Sequence, residues 1–189
     1  MITIDKKKHQ AIHTRNIKVA TYVCGDDAII VEGQLKDHRL VDSYRSGGDV
    51  IPPGVIHNMI IRLKIRGPGL VIEDIDVEMP SVPNEDCLET RQSLEPIKGM
   101  SIISGFTLKV KESIGGVKGC AHLTALLTAM APAAVQGGWT AAARHSDASP
   151  ALMTFALERL KDTCHVWRSD GPAFSKMQAV IAEADTVDN

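Results

Sequence analysis

Two pairs of β-branched segments fill the first part of the chain, each pair joined by a turn-forming cluster, and this ordering limits the fold more than any other feature. Asn16 to Cys24 and Ala28 to Lys36 flank Gly25-Asp26-Asp27, while Met59 to Ile65 and Leu70 to Glu78 flank Gly67-Pro68-Gly69. Partial alternation of apolar and polar residues between turn signals reads as two antiparallel hairpins, each with one buried face. After Pro83 the pattern becomes helical. Asn84 is an N-cap for a helix over Glu85 to Leu94, whose acidic residues stand in the first turn, and Pro96 should end it. Ser104 to Ser113 reads as a shorter helix broken at Gly115-Gly116. Leu123, Leu126, Leu127 and Met130 then have the spacing of a buried helical stripe. Gly137-Gly138 is expected to interrupt that helix before Trp139 to Arg144 resumes it. Arg144 to Pro150 reads as a loop, followed by a last helix around Ala151 to Cys164 and a turn anchored by Trp167.

Strands first and helices afterwards specify an α+β fold: an antiparallel sheet from the N-terminal half, with the C-terminal helices packed on one face. A doubly wound α/β fold does not fit this order. A chain of 189 residues suffices for one well-buried core and is too short for two ordinary ones, so residues 1–189 read as a single domain. Within it, 12–172 forms the core and 173–189 a C-terminal tail.

Bulk properties exclude several classes of function. A net charge of -2 supplies no field for a polyanion, and Lys6-Lys7-Lys8 and Lys109 to Lys111 read as solvated surface, so no nucleic-acid partner is expected. The aromatic share of 4% means an aliphatic core. Met1 to Gln10 is charged and lacks the apolar run of a secretory signal, and no stretch is long enough to cross a bilayer. The expectation is a cytoplasmic protein without a membrane partner. In a reducing compartment Cys24, Cys87, Cys120 and Cys164 read as buried small hydrophobes, reactive thiols or metal ligands rather than disulfides. Neither a GxGxxG nor a GxxxxGK[ST] phosphate loop is present.

Residues able to carry chemistry fall at element boundaries: His57-Asn58-Met59 at a strand entrance, Cys87 in the first helix, Cys120-Ala121-His122 opening another, and Cys164-His165 ending the last. Thiolates and imidazoles suit zinc or iron, and ligands at boundaries can converge from separate elements. The positive end of a helix dipole suits an anionic sulfur at Cys120, as ligand or nucleophile. Residues two apart on a regular helix diverge, so Cys120 and His122 converge only if Cys120 sits at or before the cap. Cys87 and Cys164 read equally as buried small hydrophobes or as members of the site, which Cys164 would reach from the last helix. Cys24, His9, His13, His38 and His145 are assigned structural or surface roles.

These residues resemble a widespread bacterial family known as a domain of unknown function, DUF2889. The resemblance lies in His13-Thr14-Arg15, in Pro53-Gly54-Val55-Ile56-His57-Asn58-Met59, in Leu70-Val71-Ile72-Glu73-Asp74 and in Gly105-Phe106. Its specific part is Gly115-Gly116-Val117-Lys118-Gly119-Cys120-Ala121-His122-Leu123, with Asp162-Thr163-Cys164 further on. Where the family commonly shows His-Asp-Met, this chain has His57-Asn58-Met59. A looser resemblance joins His57 to Leu127 with the iron–sulfur assembly scaffold fold of the NifU/IscU type, which implies that His57, Cys87 and Cys120 come together. An imidazole and an amide at the places of a thiolate and a carboxylate favour a mononuclear site over cluster assembly.

Three functional readings follow. The first is a zinc- or iron-dependent enzyme acting on a small-molecule ligand, with His57, Cys87, Cys120 and His122 as the metal ligands and an open position for water. Asp74, Asp76 or Glu78 could assist it, unless they form the solvated face of a strand. The second is a non-catalytic metal or iron–sulfur scaffold or carrier. The third is a metal-free thiol enzyme using Cys120 with His122 as its partner. The oligomeric state stays open.

Overall fold

The computed structural model describes residues 5, 7, 9–144 and 150–187. Its centre is a four-stranded antiparallel sheet of β1 (His13–Cys24), β2 (Ala28–Arg39), β5 (Gly54–Arg66) and β6 (Val71–Ser81), in the spatial order β1-β2-β5-β6. Between β2 and β5 lies a small hairpin of β3 (Ser43–Tyr44) and β4 (Val50–Ile51). Both predicted hairpins are present. The first turns at Gly25, whose φ of 71° is the left-handed conformation open to glycine.

A two-residue period decides which side chains enter the core. Ile29, Val31 and Leu35 of β2 face the helices beside Met59, Ile61, Leu63 and Ile65 of β5, in direct register, and all are buried. The opposite face is polar: Arg62 bridges Glu32, Asp76 and Glu78 there, and Lys98 pairs with Asp74. Those carboxylates form the solvated face of the sheet.

The helices follow: α1 (Phe106–Ile114), α2 (Ala121–Ala142), α3 (Pro150–Leu160) and α4 (Pro172–Val187). α2 packs on the inner side of the sheet, mostly on β1 and β2. Leu123, Leu126, Leu127 and Met130 are all fully buried, as their spacing requires. Contrary to expectation, Gly137-Gly138 does not interrupt α2. A Cβ on Gly137 would lie 2.4 Å from Thr21 Cγ2, and one on Gly138 2.9 Å from Leu70 Cδ2. These glycines let the helix lie against the sheet, a benefit that outweighs their poor helix propensity.

The segment Glu85–Ile97 is a 3-10 helical run rather than an α-helix. Asn84 caps it as read from the sequence, its Oδ1 accepting from the Asp86 N–H. Thr90 and Ser93 hydroxyls donate to the carbonyls three residues back, Cys87 and Thr90, which favours the tighter turn. Leu94 and Ile97, three apart, fall on one side of such a run and are buried together. The run ends at Ile97, one residue past Pro96.

The stretch expected as a C-terminal tail forms α4. Leu157 of α3 and Phe174 and Ile181 of α4 make a second apolar cluster, against which Trp167 and Met177 pack, so Trp167 anchors the turn as predicted. Most of the loop expected over Arg144 to Pro150, with His145, lies outside the described residues. Among those described, no helix is long and apolar enough to cross a membrane.

Candidate functional site

At one end of the sheet the buried face turns from apolar to charged. Continuing the inward phase of β2 beyond Ile29, Val31 and Leu35 brings in Asp37, which is only 1% exposed. Register sets Arg15 of β1 and His57 of β5 directly beside it, so Arg15, Asp37 and His57 form one cross-strand row. A bulge in the β2–β5 pairing follows at once, between Asp37 and His38. Over this row lies His122, in the first turn of α2.

The contacts are specific. Arg15 donates from Nε to Asp37 Oδ1 and from Nη2 to Oδ2, both at 2.7 Å, the two-pronged geometry that suits a guanidinium and a carboxylate. His57 Nδ1 lies 2.9 Å from Asp37 Oδ2. His122 Nε2 is 3.8 Å from the same oxygen, and His13 Nε2 is 3.7 Å from Oδ1. The His57 and His122 rings stack with centroids 3.8 Å apart. Donor atoms of Asp37, His57 and His122 lie within 4.8 Å of one another.

Electrostatics acts most strongly on the carboxylate at the centre of this group. The Arg15 guanidinium, and secondarily His57, hold the Asp37 carboxyl down at about 2 against the opposing effect of burial. Asp37 is therefore an anion and an acceptor only, so His57 Nδ1 is the donor in their contact, which in the neutral imidazole leaves the lone pair on Nε2. Burial pushes the His122 imidazole below its ordinary value, reinforced by His57 and Arg15 and opposed by Asp37. Arg15, in turn, is raised by its bond to Asp37.

The four residues nominated from sequence are distributed unevenly. His57 and His122 come together. Cys120 is the N-cap of α2, where convergence with His122 becomes possible, and its Sγ lies 3.9 Å from His122 Nδ1. Cys87 sits in the 3-10 run and, like Cys120, packs partly buried against the core. Neither cysteine belongs to the group of donors gathered within 4.8 Å. Cys164 is exposed beyond α3, and Cys24 is half-buried at the end of β1. Asn58 points to the other sheet face, its Oδ1 accepting from Gln34 Nε2 at 2.9 Å.

Asp37, Arg15 and His13 were not nominated. The missed signal is a carboxylate in the buried phase of a strand, since ionised side chains are almost never fully buried unless paired. Two concavities lie elsewhere, of about 540 Å³ beside Lys111, Gly115 and Thr128, and about 340 Å³ beside Thr21, Gly137 and Arg144. The charged group lines neither, and its outer members are open to solvent, with Arg15 40% and His122 28% exposed.

Fold and site together define an α+β protein with an Arg–Asp–His row, centred on a buried carboxylate, at the end of an antiparallel sheet and completed by a histidine from the helix above. The chain belongs to the DUF2889 family, described as a protein of unknown function, whose model matches residues 13–136. That span contains every residue of the site, whereas α3 and α4 lie beyond it. No curated protein and no solved structure matches the chain.

Proposed function

We propose that this protein is a metal-dependent enzyme acting on a small molecule, with zinc or iron held by the imidazoles of His57 and His122. The observation that carries this reading is the Asp37–His57 contact. A buried carboxylate that fixes the Nδ1–H tautomer of a histidine leaves Nε2 aimed away as a donor, the arrangement by which outer carboxylates orient metal-binding histidines. Arg15 occupies both oxygens of Asp37, which suits Asp37 to the role of orienting group. Two imidazoles leave coordination positions open, more than the single one of a three-ligand catalytic zinc site, and a bound ion there would supply a Lewis acid and an activated water. The shallow setting supports an ion as the resident ligand, since an ion needs no deep cavity.

Elemental analysis of the untagged chain, after reconstitution with zinc or iron(II), tests this. Near-stoichiometric metal is expected, lost in His57→Ala and in His122→Ala and retained in Cys87→Ala. Absence of metal from the unaltered protein would reject the reading.

One contact favours a second reading, a metal-free thiol enzyme. Cys120 Sγ, His122 and Asp37 lie in series, at 3.9 Å and 3.8 Å, in the order nucleophile, base and orienting carboxylate. Alkylation by iodoacetamide separates the two readings. The thiol reading expects Cys120 to react fastest of the four cysteines and to slow on His122→Ala, with metal making no difference.

A further inference from the structure

We propose that the site binds its metal together with a small oxyanion, a carboxylate or a phosphate, held by Arg39 and Arg15 at the mouth of the imidazole pair. This inference rests on the metal reading above and names the class of molecule that reading leaves open.

One further rung of the sheet lies next to the Arg15–Asp37–His57 row. His13 of β1 pairs with Arg39 of β2, two residues beyond Arg15 and Asp37 respectively. Alternation places residues two apart on the same face. His13 shows this for β1 by reaching Asp37, and for β2 the register with β1 runs unbroken from Asp37 to Arg39, the extra residue of the bulge lying on β5. The side of the sheet that faces α2 therefore presents Arg15, Arg39, His13 and His57 at this end, with His122 above, against the single carboxylate of Asp37.

Arg15 is neutralised by Asp37. Arg39 is not: its Nε and Nη2 donate to the Pro52 carbonyl, a neutral acceptor, at 3.2 and 2.7 Å, and among the described residues no ion pair to it is formed. The two guanidiniums and the Asp37 carboxylate alone leave one net positive charge before any metal arrives. A divalent ion would raise that to three in a partly buried place, where uncompensated charge is costly. An anion supplies the missing charge. Guanidinium N–H groups not used on Asp37 or Pro52 provide planar donors matched to an oxyanion. Arg15 Nη1 is unused in the Asp37 contact, and the side chain is substantially exposed.

Two ligands that each relieve the other's electrostatic cost bind cooperatively, and the coupling is reciprocal. The zinc affinity of the full-length chain should therefore be measured by competition with a chromophoric chelator, alone, with millimolar acetate and with millimolar inorganic phosphate. Zinc is expected to bind about tenfold more tightly with the favoured anion. Chelation of zinc by the anion in solution acts in the opposite direction. The acetate and phosphate arms identify which oxyanion chemistry the site prefers. Arg39→Ala should abolish the tightening while leaving zinc stoichiometry intact, and Arg39→Lys should restore part of it, which a merely structural role through Pro52 would not produce. Zinc bound at full stoichiometry but indifferent to both anions would overturn this inference and leave the metal reading standing. Failure to bind zinc or iron under any of these conditions would reject both.

Discussion

Replacing Asp37 by Asn should flatten the acid limb of the stability curve. Asp37 titrates at about 2 in the folded chain, against 3.8 as its ordinary value. A folded value below the unfolded one means that the carboxylate stabilises the fold above pH 3.8, and that this contribution fades as pH falls towards 2. Each pKa unit is worth about 1.4 kcal/mol, so the full contribution is about 2 kcal/mol at neutral pH. Integrating the titration, about 1 kcal/mol should be gone by pH 3 and most of the rest by pH 2. Asn keeps the shape and an acceptor oxygen but has no proton to gain. Urea unfolding of the metal-free chain and of Asp37→Asn, from pH 7 down to pH 3, gives the comparison. The variant should be less stable at pH 7 by about 2 kcal/mol, with the gap narrowing by about 1 kcal/mol at pH 3. Parallel curves, with a constant gap, would show that Asp37 is not held ionised by Arg15 and His57, and the electrostatic account of the site would fail.

Other perturbations test separate parts of the structure. In a proton NMR titration of the metal-free chain, His122 should titrate below 6.5, and His57→Gln should bring it closer to that value by removing one of its depressing neighbours. Gly137→Ala should lower Tm by about 2–4 °C, because the clash with Thr21 costs more than the gain in helix propensity; a raised Tm would contradict the packing of α2 on β1. Ile61→Ala, in the buried phase of β5, should cost about 2–5 kcal/mol in urea unfolding. By contrast Arg62→Ala, on the open sheet face, should cost about 1 kcal/mol or less despite its three carboxylate partners.

The hairpins were legible because each strand alternates between turn clusters, a signal local to a few residues. The buried stripe of α2 was legible for the same reason. What sequence reasoning could not supply were effects requiring a neighbour. Gly137 reads as a helix breaker until Thr21 stands against it. Glu85 to Leu94 has an α-helical composition, yet hydroxyl-to-carbonyl bonds at Thr90 and Ser93 and burial of Leu94 with Ile97 select the tighter helix. In α4, Phe174, Met177 and Ile181 have helical spacing, although the segment reads as a tail until α3 stands beside it.

The site divides similarly. His57 and His122 were found by residue type and place. Asp37 escapes a strand that ends at Lys36, one residue short of the position where an apolar phase meets a charge. Once the register is known, Arg15 and His13 follow from Asp37 through cross-strand pairing. The cysteines drew attention by their chemistry, but the fold gathers a carboxylate and imidazoles at the centre and leaves Cys120 at its edge.

X-ray absorption at the metal edge of the reconstituted, untagged chain reads the ligand atoms themselves. Nitrogen or oxygen scatterers only are expected, with histidine outer-shell features and zinc–nitrogen distances of about 2.0–2.1 Å. A sulfur shell at about 2.3 Å would show that cysteine is a metal ligand and would contradict a site built on His57 and His122 around Asp37.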